Sequence, residues 1–133
     1  MADVVLERNL AAPADRLWAV LRDFGDVSWI PPAGKVDVDG DGPGMRRHIH
    51  GSGGDPVVER LLDLDDEART LRYCIEEDSP LPVSSYVGTV TVTHERLRWA
   101  VTYEPVGDEA EAKTVVELMV GGLAAWLEEA AQQ

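Results

Sequence analysis

The 133-residue sequence holds one cysteine, one phenylalanine and three histidines. A single thiol, Cys74, excludes an internal disulfide and suits a reducing compartment. No apolar run approaches the ~20 residues that a membrane-spanning helix requires, so membrane insertion is not expected. The first residues, MADVVLERNL, lack a basic segment followed by an apolar one. No signal peptide is therefore expected, and the chain reads as cytoplasmic. Basic side chains are scarce as well, 12 against 25 acidic, which leaves a net charge of −13. Such a surface repels phosphate backbones and anionic lipid, disfavouring nucleic-acid and membrane partners. The acidity itself names no partner; solubility alone accounts for it.

What is present suffices for one packed domain over residues 1–133, with 44% apolar residues and no repeat or low-complexity linker. Val4 to Leu10 reads as a first strand, with Val4, Leu6 and Arg8 on one face. Ala12-Pro13-Ala14-Asp15 begins a helix, since proline costs nothing in a first turn. A further helical turn is expected at Val27 to Ile30, ended by Pro31-Pro32. Glycine and proline then punctuate a series of strands: Lys35–Val38, Met45–His50, Val57–Leu64, Thr70–Glu76, Ser84–His94 and Leu97–Glu104. The acidic stretch Asp65-Asp66-Glu67-Ala68 and the pair Glu95-Arg96 supply hairpin turns. Lys113 to Gln133 reads as one long amphipathic helix with Val115, Leu118, Met119, Gly122, Leu123 and Trp126 as its apolar face. Gly121-Gly122 in its middle is either a weak point or a place of close approach by the sheet or a ligand.

The order of one strand, two short helices, six strands and a long helix predicts an α+β helix-grip fold. Its seven-stranded antiparallel sheet would curve around the C-terminal helix. Specific segments carry a resemblance. Leu17-Trp18-Ala19-Val20-Leu21-Arg22-Asp23-Phe24 with Trp29-Ile30-Pro31 is similar to the first-helix signature of the START and polyketide-cyclase superfamily. Gly44-Met45-Arg46-Arg47 and the run Glu59 to Glu67 resemble its third and fourth strands. Tyr73-Cys74-Ile75, Leu81 to Tyr86 and Thr114 to Leu118 complete a likeness that covers nearly the whole chain. It is closest to bacterial polyketide cyclase/dehydrase-like proteins and more distant from plant abscisic-acid receptors.

The resemblance implies a pocket between sheet and helix, lined by Ile30, Arg47, Ile49, Glu59, Tyr73, Ile75, Val83, Tyr86, Gly88, Val115 and Met119. On the last strand, alternation turns Trp99, Val101 and Tyr103 inward, whereas the receptor comparison favours Glu104. The lysine that those receptors place against a ligand carboxylate is absent; Ile30 stands there, which argues against a hormone-type acid. Two loops look suited to gate a mouth: Gly51–Pro56 and Asp78–Val83, with Leu81 as the apolar tip folding over the ligand.

The chemistry on offer is limited. Arg47 and Glu59 have inward parity on neighbouring antiparallel strands, as a structural ion pair or as a polar anchor for a ligand. Tyr73 and Tyr86 each offer a hydroxyl, or are core aromatics. Asp37-Val38-Asp39-Gly40-Asp41-Gly42 mimics the start of a calcium loop, but His48 occupies the twelfth position, where a glutamate is needed. His48 and His50 share a strand face, two ligands being too few for a metal site. Cys74 alternates away from the pocket, and Ser84 and Ser85 lack a nucleophile's turn and a histidine partner. The expected function is binding of a hydrophobic or aromatic small molecule, with no metal or cofactor. One alternative is a polyketide aromatase/cyclase or dehydratase using Arg47, Glu59, Tyr73 and Tyr86. Another is a protein-binding module like the chaperone activators of the superfamily.

Overall fold

Alternating side chains along seven short segments give the chain its sheet, here described from a computed structural model covering residues 1–51, 55–76 and 81–133. The strands are β1 (Ala2–Asn9), β2 (Val36–Asp39), β3 (Arg46–Ile49), β4 (Val57–Asp65), β5 (Thr70–Ile75), β6 (Val83–Val92) and β7 (Arg96–Pro105). All neighbours are antiparallel, in the order β1-β7-β6-β5-β4-β3-β2. Strands β1 and β2 are therefore the two edges of the sheet. The chain passes between them through α1 (Ala14–Arg22) and a short 3-10 turn at Pro31–Ala33. The long helix α2 (Glu109–Ala131) closes the chain. None of the described helices is long and apolar enough to cross a membrane.

Several boundaries differ from expectation for physical reasons. Pro13 stands just outside α1 as its N-cap, and Pro31-Pro32 begin the 3-10 turn instead of ending a helix. Proline's fixed φ suits a first position. The β6–β7 connection takes in Thr93, His94 and Glu95, closed by the Thr93 N–H donating to the Arg96 carbonyl at 2.9 Å. Helix α2 starts four residues earlier than the apolar pattern suggests, because the Asp108 carboxylate accepts from the Glu111 N–H at 2.9 Å. That cap satisfies a backbone donor that a helix start otherwise leaves unpaired.

The core stripe of α2 also differs. Ala112, Val116, Val120, Ala124, Leu127 and Ala131 are the fully buried positions, and Leu118 is 72% exposed. The helix packs this stripe against α1, β1 and β7. One alanine and two valines in its first half allow the close approach that a sheet surface requires. Facing them are Val90, Val92, Leu97, Trp99, Val101 and Tyr103, all at most 3% exposed. A bulge between Ser84 and Val87 lets Val83 and Tyr86 both reach the core, although simple alternation would separate them. Ser85 sits within that bulge at φ 51°.

Outside the core, one carboxylate fastens α1 to the β4–β5 turn. Asp66 accepts from the Trp18 indole N–H at 2.8 Å and from two Arg22 nitrogens at 2.8 and 3.0 Å. The bonds from Arg22, and then Trp18, pull the Asp66 carboxyl down to about 2.

Candidate functional site

Because α2 packs chiefly over the β1–β7 side, a gap remains between it and the β3–β5 end of the sheet. A cavity of about 470 Å³ occupies that gap. The sheet contributes Arg47, Ile49, Val57, Glu59, Ile75 and Trp99. The chain entering β2 contributes Trp29, Ile30, Pro32 and Ala33, and α2 contributes Leu118, Met119, Gly122, Leu123 and Trp126. His50, Gly51, Asp55 and Leu81 complete the wall. Three of the four tryptophans therefore face one space. The rim is held by a bridge between Gly34 and Gly51, where the Gly51 N–H donates to the Ala33 carbonyl at 2.7 Å. Gly34 adopts φ 63°, and a Cβ there would lie 2.4 Å from the Gly51 oxygen, so only glycine fits.

The polar end of the cavity is an ion pair. Arg47 and Glu59 are directly opposed on β3 and β4, and each is 8% exposed. Arg47 Nε and Nη2 both lie 2.7 Å from Glu59 Oε1, and Nη1 donates to the Phe24 carbonyl at 2.9 Å. The guanidinium also stacks 3.9 Å from the Phe24 ring centroid. A buried charge is tolerable only when paired and hydrogen-bonded in this way.

Beneath the cavity lies a hydroxyl network. The Trp99 indole donates to the Tyr73 hydroxyl at 3.3 Å, and that hydroxyl lies 3.4 Å from the Tyr86 hydroxyl. Burial pushes Tyr73 up to about 12 and raises Tyr86 well above its ordinary value. Gly88 belongs here too: a Cβ would meet the Tyr73 ring at 2.5 Å.

Of the residues anticipated from sequence, Ile30, Arg47, Ile49, Glu59, Ile75, Leu81, Trp99 and Met119 stand in the cavity wall. Tyr73, Tyr86, Gly88, Val83, Val101 and Tyr103 do not. They share inward parity with the wall but lie under it, or where α2 already covers the sheet. Val115 lies in a separate surface depression with Ala110, Glu111 and Thr114. Glu104 faces outward, 3.4 Å from the N-terminal amine. Trp29, Trp126, Leu123, Val57 and Asp55 are in the wall without having been anticipated as site residues. For Trp126 and Leu123 the signal existed, in the apolar flank of α2 read as its buried face. The gating expectation falls largely on residues 52–54 and 77–80, outside the described residues. A wider depression of about 840 Å³ lies on the outer surface between the β1–α1 loop and the β6–β7 turn. It has neither the buried polar pole nor the aromatic wall.

Two of the three histidines are engaged locally. His50 Nε2 lies 2.8 Å from Asp37, and His48 Nε2 lies 3.7 Å from Asp39. Among the described residues, no group of three His, Cys, Asp or Glu side chains is placed to hold a metal ion.

No curated protein matches the sequence. Among solved structures, the protein XoxI from Bacillus cereus superposes with a TM-score of 0.86 at 23% identity, over 100% of this chain and 97% of that one. Ara h 8.0201 has a TM-score of 0.81 at 17% identity, over 98% and 97% of the two chains. Norcoclaurine synthase from Thalictrum flavum, in complex with dopamine and hydroxybenzaldehyde, has a TM-score of 0.74 at 20% identity, over 96% and 84%. These likenesses establish the helix-grip fold. The family model described as "Polyketide cyclase / dehydrase and lipid transport" matches residues 1–133, so the chain belongs to that family.

Proposed function

We propose that the protein binds a small hydrophobic or aromatic molecule in the cavity between its sheet and α2. One observation carries this reading: an internal space of about 470 Å³ with an aliphatic and tryptophan wall and a single buried ion pair at one end. That size and that balance of apolar surface with few polar groups suit small-molecule sites. Norcoclaurine synthase, a protein of the same fold, holds two small aromatic compounds. The cyclase or dehydratase alternative has less support. Two of its four candidate groups, Tyr73 and Tyr86, lie beneath the wall, and phenols with raised pKa values are poor acids at neutral pH. A cytoplasmic setting is part of the proposal and suits the free thiol of Cys74.

Met119 is half-buried and stands in the wall, so Met119→Trp should fill the space without breaking the core stripe of α2. The expected outcome is loss of binding of a fluorescent apolar probe, with cooperative unfolding retained. Undiminished probe binding by a folded Met119→Trp protein would place binding elsewhere and end the reading.

A further inference from the structure

Taking cavity binding as given, the hydrogen-bonding inventory of the wall specifies what the ligand must bring. No lysine, serine, threonine, tyrosine, asparagine or glutamine stands in it among the described residues. The side-chain donors that do stand there are few, and part of them is committed. Arg47 donates Nε–H to Glu59 Oε1 and one Nη1 hydrogen to the Phe24 carbonyl. Its Nη2 lies in ion-pair contact with the same Oε1, so Glu59 cancels its charge while its remaining Nη hydrogens stay open. The Trp29 indole donates to the Asp26 carbonyl at 3.1 Å, and the Trp99 indole donates to Tyr73. The Trp126 N–H, on the helix side of the wall, has no partner among the described residues, nor have the remaining Nη hydrogens of Arg47.

The acceptors are open and carry the uncompensated charge. Both Arg47 contacts converge on one oxygen of Glu59, so Oε2 has no described partner although the residue is 8% exposed. Asp55 has no ion-pair partner among the described residues. His50 Nε2 is engaged with Asp37, so in the neutral ring that donates there, Nδ1 is an acceptor. Charge agrees with this inventory. Glu59 cancels Arg47, which leaves Asp55 uncompensated in the wall of a protein whose net charge is −13. Trp29, Trp99 and Trp126 add indole surfaces, which attract cations through their π faces.

The geometry points to a protonated aromatic amine as the ligand class, its ammonium on Glu59 Oε2 and its ring against the tryptophans. An ammonium satisfies the unpartnered carboxylate oxygen with a charge-assisted hydrogen bond. A carboxylate ligand would meet a guanidinium whose charge Glu59 already cancels, and the uncompensated charge of Asp55.

Four probes of nearly equal shape separate the possibilities: naphthylmethylamine, naphthylmethanol, methylnaphthalene and naphthoate, titrated calorimetrically against the wild-type protein. The expected order places the amine first, about tenfold tighter than methylnaphthalene, the scale of one charge-assisted bond, with naphthoate last. Glu59→Gln should remove the amine's advantage over methylnaphthalene when both are measured on that variant, since glutamine keeps an oxygen for Arg47 but no charge for the ammonium. If that variant does not fold, the wild-type order decides alone. Any order in which the amine does not lead overturns the inference but leaves cavity binding standing. An amine preference that persists in Met119→Trp is surface attraction and also overturns it. Failure of all four probes to bind would overturn cavity binding, and the inference with it.

Discussion

Arg47 and Glu59 show how far a pair of residues can be read from strand parity. Both were expected to face inward on adjacent strands, and they are directly opposed, with two nitrogens on one oxygen. What parity could not supply is the third partner, the Phe24 carbonyl, which comes from the loop after α1. That partner makes the two residues unequal. Removing Glu59 strands a buried guanidinium; removing Arg47 strands a carboxylate and a carbonyl together. Each alanine substitution should cost about 3–5 kcal/mol, with Arg47 the costlier. The double substitution should cost less than the sum of the two. Urea denaturation of the three variants measures the coupling, and strict additivity would mean that the contact contributes nothing. Tyr73 and Tyr86 show the opposite case. Their inward parity was legible, but parity does not say how deep a side chain lies, and both finish in the layer below the cavity.

Helix α2 carries two apolar flanks, and only one of them is core. Periodicity picked out Val115 to Trp126 because its large side chains dominate any hydrophobicity pattern. The buried stripe is built largely of alanine and valine, which fit where helix and sheet approach closely. Gly121 and Gly122 can now be assigned more closely. A Cβ at Gly121 would meet nothing within 4 Å, and one at Gly122 would meet only Trp126 atoms, the nearest at 3.6 Å. Close approach of the sheet is thus not their reason. Gly121→Ala should stabilise the protein by about 1 kcal/mol through helix propensity alone, with probe binding unaltered. Gly122→Ala should gain similarly in thermal unfolding yet weaken probe binding, because its methyl enters the cavity wall. Equal effects of the two on binding would contradict the assignment of the wall. The link between α1 and the β4–β5 turn adds a pH dependence. Asp66 has a lowered carboxyl in the folded state, so its stabilisation is present above about pH 4 and is lost as pH falls toward about 2. Asp66→Asn should therefore be less stable than wild type at neutral pH, with the gap closing across that acid range.

At the scale of the whole molecule, burial of Tyr73 and Tyr86 ties the hydroxyl network to global unfolding. Their raised values mean that the neutral phenols stabilise the fold fully below about pH 10. For Tyr73 that contribution is lost as pH rises through about 12. Tyrosinate absorbance from two of the three tyrosines should therefore appear only together with alkaline unfolding, and titration of more than one tyrosine near pH 10 in a still-folded protein would show that the floor is open to water. The sequence by itself determined the number, order and direction of the strands and the presence of the long helix. Period-two and helical patterns, broken by glycine, proline and acidic turns, are local properties. It also determined the family likeness and which face of most strands is apolar. Tertiary structure decided which apolar face remains unfilled. Whether a wall or a core forms behind an inward side chain depends on where α2 comes to rest across the sheet. That position is set by contacts among α1, β1 and β7, far apart in the chain, and no local pattern contains it. Trp99 in the wall and Val101 in the core share a strand and a face; the position of one helix separates them.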